Sequence, residues 1–163
     1  MIKLNSKHQS LTLSFASQTD HKPARRLIIL IPSLEIDLTA VTSRVWELAN
    51  TTGAHVQFLG LYSDATQEPR LRRELVTMSA MVRDGRVSAE ADVIFGEDWV
   101  NVVKTRFQPG DMVVCFAEQR AGSSRRPLSD VLQSELDIPL YILSGLYQQN
   151  ESRSNWLAQI TVW

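Results

Sequence analysis

Short apolar runs and amphipathic segments alternate along most of this 163-residue chain, and no other sequence feature constrains its fold as strongly. The run at residues 27–31 is continuous, rich in β-branched residues and followed by Pro32. Such a run is typical of a strand that is buried on both faces, as the strands of parallel sheets are. The next segment has apolar residues at helical spacing, with Asp37 or Thr39 placed to cap its start and Gly53 placed to end it.

The same cycle repeats along the chain and predicts five strands separated by four helices. The predicted strands lie at residues 27–31, 56–61, 87–95, 112–116 and 140–143. Strict alternation with short connections implies right-handed crossovers and a parallel sheet with helices on both faces. The sequence therefore predicts an α/β fold in three layers, α/β/α. This architecture alone says little about chemistry, because it serves many unrelated functions.

The two ends of the chain do not continue this alternation. Residues 1–24 form a polar leader or linker with a short candidate strand at residues 11–15, and residues 25–145 form the α/β domain. A chain of this length is one ordinary domain. Residues 146–163 form a C-terminal extension whose apolar part, residues 156–163, carries two tryptophans. We expect that part either to pack on its own domain as an added strand or helix, or to lie on a partner or membrane surface.

The composition excludes several classes of function. Seventeen basic and eighteen acidic residues give a net charge of −1. No bulk positive field therefore exists to hold a nucleic acid, and we expect no nucleic-acid partner. A single cysteine excludes an internal disulfide and any multi-cysteine metal site. The first 26 residues lack the apolar core of a secretory signal peptide. No stretch approaches the ~20 apolar residues that a membrane span needs. We therefore expect a soluble, cytoplasmic protein.

Three local phrases, together with the order of elements, resemble the universal stress protein family. Residues 27–32 resemble its first strand, which ends in a short apolar-Pro phrase. Residues 111–115 resemble its fourth strand, an Asp followed by apolar residues, and residues 137–143 resemble its closing phrase, in which a proline leads into the last strand. The resemblance covers residues 25–145 and implies an adenine-nucleotide alpha-hydrolase-like fold, with a five-stranded parallel sheet in the order 3-2-1-4-5.

The resemblance also implies partners and a location. Members of the family take part in the stress response and typically form homodimers. Similar modules also occur fused to membrane transporters and sensor kinases, where they lie at the cytoplasmic face of the membrane. We therefore expect a homodimer, with a protein or membrane-transporter partner as a further expectation.

Many family members bind ATP or AMP in the crevice beside strands 1 and 4, where the strand order reverses. They carry an Asp after strand 1 and a Gly-x2-Gly-x9-Gly-Ser/Thr loop after strand 4, whose backbone amides approach the phosphates. In this chain Leu34 stands at the Asp position, and Phe116 and Gln119 stand at the first two glycine positions. The nearest pair of glycines, Gly53 and Gly60, is seven residues apart, so that loop is absent. We expect Leu34 and Phe116 to fill the crevice and the usual nucleotide mode to be lost.

A basic segment after strand 4 keeps an anion site open as an alternative. Residues 120–127 lead into the fourth helix, and a helix N-terminus offers free amides and a partial positive charge. The other interpretation is a solvated loop in which a serine helps to start the helix. If a nucleotide binds, the candidate cofactor-binding residues are Ser33, Ser123, Ser124, Arg125 and Arg126.

The sequence shows no arrangement of catalytic or metal-binding residues. The HExxH and GxSxG spacings are absent, and no pair of the three histidines has metal-ligand spacing. Cys115 lies within an apolar strand, where we expect an inert core residue. Arg70 and Glu74 have the i,i+4 spacing of a surface ion pair. We predict no catalytic residue, no metal site and no enzyme activity; ATP and AMP are the only cofactors left as alternatives.

Two functions from different classes remain open. The first is a non-enzymatic regulatory or interaction module of the universal stress type. In one version of this hypothesis, the module is the cytoplasmic domain or a fragment of a transporter or sensor. Its predicted interface is the edge strand at residues 140–143, enlarged by Tyr141 and Tyr147. The alternative is a sensor that binds an adenine nucleotide or a cyclic dinucleotide between strands 1 and 4. An open crevice favours the sensor, and a filled crevice favours the interaction module.

Overall fold

The computed structural model describes residues 26–32, 36–122 and 125–146, and within them strands and helices alternate throughout. The predicted β-α alternation is therefore confirmed. The elements, in chain order, are β1 (Arg26–Ile31), α1 (Leu38–Thr52), β2 (His55–Tyr62), α2 (Glu68–Val82), β3 (Ala89–Phe95), α3 (Trp99–Arg106), β4 (Met112–Phe116), α4 (Leu128–Leu136) and β5 (Leu140–Leu143).

The strands form a single parallel sheet in the order β3-β2-β1-β4-β5, which confirms the order that the resemblance implies. β1 is central and pairs with β2 on one side and with β4 on the other, so that Ile29 stands opposite both Phe58 and Val114. The chain leaves β1 and β4 toward opposite faces of the sheet. A crevice is therefore expected between the loops that follow these two strands.

Helices cover both faces of the sheet, as the continuous apolar run in β1 predicts. Successive side chains of a strand point to opposite faces, and all of residues 27–31 are at most 2% exposed. One face packs against α1 and α2, through residues such as Val45 and Met78. The other face packs against α3 and α4, through residues such as Val103 and Leu132. This arrangement is the predicted three-layer α/β/α architecture.

Side-chain caps begin two of the helices, and the first of them is at the predicted residue Asp37. The Asp37 carboxylate accepts a hydrogen bond from the backbone N–H of Ala40 (3.1 Å) at the start of α1. The Asp98 carboxylate accepts one from the N–H of Asn101 (3.2 Å) at the start of α3. α4 differs, because Pro127 precedes it and no side chain of the described residues caps its first turn. Ser123 and Ser124, one of which was expected to help start this helix, lie outside the described residues.

A buried ion pair joins the amino ends of the strands. Asp111 is only 3% exposed, and its Oδ2 accepts hydrogen bonds from Nη2 (2.6 Å) and Nε (3.2 Å) of Arg26. The same oxygen accepts a bond from the N–H of Gln108 (3.0 Å). Arg26 also donates to the Oε1 of Gln57 (3.1 Å) and to the carbonyl of Arg106 (2.7 Å). The network thus links β1, β2, the start of β4 and the end of α3.

Replacing Asp111 by alanine is expected to lower the free energy of unfolding by about 3 kcal/mol, because Arg26 keeps its charge and loses its buried partner. Urea unfolding followed by circular dichroism measures the change. The control is Glu74→Ala, which removes the exposed Arg70–Glu74 ion pair (3.2 Å) and should change stability by less than about 0.5 kcal/mol. Equal losses of unfolding free energy in the two variants would show that the Arg26–Asp111 network contributes no more to stability than an exposed ion pair.

Both expectations about the chain ends fall outside the described residues: the candidate strand at residues 11–15 and the apolar segment at residues 156–163. Within the described ranges, no helix has both the length and the apolarity needed to cross a membrane.

Candidate functional site

A cleft of about 530 Å³ lies at the carboxyl ends of the strands, and we call it the carboxyl-edge cleft. Its walls come from the segments that follow the strands: Pro32 after β1, Ser63 after β2, Glu97 after β3, and residues 118–120 after β4. Trp99, in the first turn of α3, forms part of the wall. Small-molecule sites in proteins span roughly 300–1,000 Å³, and in open α/β sheets they lie at this edge. The cleft therefore has both the place and the size of a ligand site.

The loop after β4 is closed by its own hydrogen bonds. The Oε1 of Gln119 accepts a bond from the N–H of Phe116 (3.1 Å), and the N–H of Gln119 donates to the carbonyl of Phe116 (3.1 Å). Farther along, the N–H of Ala121 donates to the carbonyl of Arg126 (3.3 Å), and the N–H of Leu128 donates to the carbonyl of Gln119 (2.8 Å). The backbone amides of Phe116, Gln119 and Ala121 are thus bonded within the protein. Phe116 and Gln119 are the positions at which the resemblance places glycines.

Phe116 does not fill the crevice, so this expectation was wrong. Its side chain is fully buried in the core on the α1 and α2 side of the sheet, in the same cluster as Val114 and Leu143. The physical reason is strand geometry: Phe116 is still part of β4 and continues the alternation of Val114, so its side chain points to a face of the sheet and not beyond its edge. Leu34, the other residue expected in the crevice, lies outside the described residues.

Of the predicted anion-binding residues, the structure describes only Arg125 and Arg126. Ser33, Ser123 and Ser124 lie outside the described residues. Arg126 lines a second cavity of about 460 Å³ beside the cleft, and Arg125 is exposed. Neither arginine is part of the wall of the carboxyl-edge cleft as described.

The charged groups of the carboxyl-edge cleft are mainly acidic. Glu97 and Glu118 contribute carboxylates to its wall, and Arg120 contributes the one basic side chain among the described lining residues. Nη1 of Arg120 donates a hydrogen bond to the carbonyl of Arg125 (2.9 Å). Part of this guanidinium is therefore occupied by the loop itself. The wall carries more negative than positive charge, which is the reverse of a phosphate site.

The second cavity has the same sign of charge. It shares Glu97 with the cleft and adds Asp98 and Glu135, against the single arginine Arg126. The Asp98 carboxylate is engaged as the cap of α3. The described residues that line the two cavities thus include four acidic and two basic side chains.

Gln119 is the residue of this site that sequence reasoning missed. The side chain is 3% exposed, and its Nε2 has no hydrogen-bond partner among the described residues. A buried polar group without a partner is uncommon and calls for a physical reason. From the sequence, position 119 was noted only because a glutamine stands where the resemblance places a glycine. That its amide folds back onto Phe116 depends on the loop conformation, which no local pattern reveals.

Gly122 holds the loop after β4 close to the loop after β3. Its φ is +63°, and a Cβ added here would lie 2.8 Å from the carbonyl oxygen of Glu97. A glycine is needed for both reasons. This glycine therefore serves a contact between two loops of the protein that border both cavities.

Two other groups singled out by the sequence lie away from the cleft. Burial raises the pKa of the Cys115 thiol to about 12, so the thiol stays protonated and unreactive at neutral pH, as expected for a core residue. His55, at the amino end of β2, has its Nδ1 2.7 Å from the Oγ of Ser88 and its Nε2 3.4 Å from the carboxylate of Glu90. In the described part of the chain, no cluster of three or more His, Cys, Asp or Glu side chains is placed to hold a metal ion.

Comparison with known proteins finds likeness among solved structures. No family model matches the chain, and no curated protein matches it. The universal stress protein UspA from Lactobacillus plantarum is similar with a TM-score of 0.44 and 10% identity, over 74% of this chain and 97% of that one. The hypothetical protein PH0823 is similar with a TM-score of 0.46 and 16% identity, over 76% of this chain and 99% of that one. The strand order and the helices on both faces of the sheet are those of a three-layer α/β/α fold.

Replacing Gly122 by alanine is expected to destabilise the protein by about 1–2 kcal/mol, because a Cβ is disfavoured at positive φ and meets the Glu97 carbonyl. Chemical unfolding measures the loss. Gly85→Ala is the matched control, since a Cβ there has no atom within 4 Å and its φ lies outside the left-handed region. This control should be neutral or slightly stabilising, within about 1 kcal/mol. A neutral Gly122→Ala would show that the two loops are not held in contact.

Proposed function

We propose that the chain is a non-enzymatic regulatory or interaction module of the universal stress type, and that it does not bind ATP in the usual mode of that family. The observation that carries the proposal is the closed loop after β4. A phosphate is held by backbone amides that point freely into the site. Here the amide of Phe116 is bonded to the Gln119 side chain, and the amides of Gln119 and Ala121 are bonded to carbonyls of the loop.

The charge of the cleft supports the same proposal. A nucleoside triphosphate carries several negative charges, and it would enter a wall that bears Glu97 and Glu118. Like charges at close range oppose binding, most strongly where water is partly excluded. The alternative, a nucleotide sensor, has the existence of the cleft in its favour. The acidic side chains of the wall and the bonded amides of Phe116, Gln119 and Ala121 both favour the interaction module over a phosphate-binding sensor.

The edge strand β5 supports an interaction role. Within the described residues it pairs with β4 alone, so one side of its backbone is open. Tyr141 is 37% exposed and Ile142 is 44% exposed on this strand. An unprotected apolar edge favours pairing with another chain. We infer a homodimer through β5, and a partner protein on the cytoplasmic side, such as a transporter or sensor, as the target of regulation.

A thermal-shift titration with ATP, ADP, AMP and cyclic dinucleotides, with and without Mg²⁺, is expected to leave the melting temperature unchanged. A nucleotide at ~100 times its dissociation constant would add about 2.7 kcal/mol of stability, a shift of several degrees for a domain of this size. A nucleotide-binding universal stress protein serves as the positive control. A saturable shift with one nucleotide would contradict the proposal and favour the sensor.

Ile142→Lys is expected to weaken the homodimer about tenfold or more, because it places a charge on the open edge of the sheet. Sedimentation equilibrium measures the dissociation constant. The control is Val76→Lys, which changes another exposed apolar residue (53% exposed). Val76 lies on α2, which packs on β2 and β3, far from β5 in the strand order. A wild-type protein that stays monomeric, or equal effects of the two variants, would refute the β5 interface.

A further inference from the structure

The carboxyl-edge cleft has the volume of a small-molecule site, but the chemistry of its wall is not that of a phosphate site. About 530 Å³ of space lies at the edge of the sheet where α/β proteins bind their ligands. The nucleotide role that this place would suggest is disfavoured by the closed loop after β4 and by the acidic wall. The cleft therefore calls for a ligand of different charge.

The carboxylates of the wall favour a cation over an anion. Glu97 and Glu118 are exposed and stand on the loops after β3 and β4, which border the cleft. Neither has an ion pair among those found between described residues. Arg120, the basic residue of the wall, donates to the carbonyl of Arg125. The acidic second cavity, which shares Glu97, extends the negative charge beyond the cleft. An ammonium group placed in the cleft would thus face carboxylates.

Gln119 adds a second requirement. This residue is part of the cleft wall, and its buried Nε2 is a hydrogen-bond donor with no acceptor among the described residues. An unsatisfied buried donor lowers stability, and an oxygen supplied by a ligand would remove that penalty. Because Nε2 is covered, such an oxygen reaches it only after a small shift of the wall. The ligand that meets both requirements carries an amine and a hydroxyl or carbonyl oxygen.

We propose that the carboxyl-edge cleft binds a small organic cation that also bears hydrogen-bond acceptors, a hydroxylated amine. This inference rests on the proposed function, since it assumes that phosphate-bearing nucleotides do not occupy the cleft. The amine contacts Glu97 and Glu118, and an oxygen of the ligand accepts a bond from Gln119. Trp99 supplies the aromatic part of the wall.

The test is isothermal titration of the full chain with four probes at low salt. Glucosamine is a hydroxylated amine, and N-acetylglucosamine is the same sugar with its charge removed. Spermidine is a cation without oxygen, and ATP is an anion. Glucosamine and spermidine are both expected to bind through the carboxylates of the wall, and N-acetylglucosamine and ATP are expected not to bind. Because the ion pairs are exposed, added salt should weaken glucosamine binding.

Glu118→Gln and Glu97→Gln are each expected to weaken glucosamine binding by up to about fivefold, the range of an exposed ion pair. Glu47→Gln, an exposed acid on α1, is the matched control and should change nothing. The side-chain amide signals of Gln119 in the ¹H–¹⁵N spectrum should shift with glucosamine and stay in place with spermidine. Circular dichroism of each variant checks that it is folded.

The outcomes separate the two proposals. Binding of ATP at the cleft would overturn both the proposed function and this inference. Absence of binding by either cation, with ATP also inactive, would overturn this inference and leave the proposed function standing. Equal binding of glucosamine and N-acetylglucosamine, or an equal effect of Glu47→Gln, would show that the carboxylates of the cleft do not select a cation.

Discussion

The two-sided burial of β1 is the constraint on which the rest of this structure depends. All of residues 27–31 are almost fully buried, and the strand pairs with β2 on one side and β4 on the other. Helices must therefore cover both faces, and the chain must cross from one half of the sheet to the other beside β1. That crossing creates the crevice at the carboxyl edge. At the amino ends of the strands, the Arg26–Asp111 ion pair joins β1 to the start of β4. The centre of the sheet is therefore held at its amino end, while the cleft lies at its carboxyl end.

The fold could be predicted because its signals are local and repeated. Apolar runs that are continuous, or that alternate with polar residues, are such signals. So are the caps at Asp37 and Asp98 and the glycine stop at Gly53, since each depends on a few neighbouring residues. The site was less predictable for a physical reason. The direction of the Phe116 side chain is set by where β4 ends, and the loop conformation depends on bonds such as that from Arg120 to Arg125. Such details follow from the packed structure and not from spacing along the chain.

The departure at position 119 changes the chemistry of the site without changing the architecture. A glycine there would leave backbone amides free, and a glutamine satisfies one of them with its own Oε1. The Oε1 of Gln119 thus accepts the hydrogen bond that a phosphate oxygen would accept in a ligand complex. The strand order and the crevice are untouched, because both are set by the sheet. One α/β architecture can thus carry sites of different chemistry.

The two features that oppose a phosphate in the cleft act independently. Freeing the Phe116 amide from Gln119 would restore a donor, but Glu97 and Glu118 would still repel an anion. Removing the carboxylates would lower the repulsion, but the amides of Gln119 and Ala121 would remain bonded to carbonyls of the loop. In the proposed function, each feature therefore weakens phosphate binding by itself. Together, the bonded amides of Phe116, Gln119 and Ala121 and the acidic side chains of the wall agree better with the proposed binding of a cation than with the binding of a phosphate.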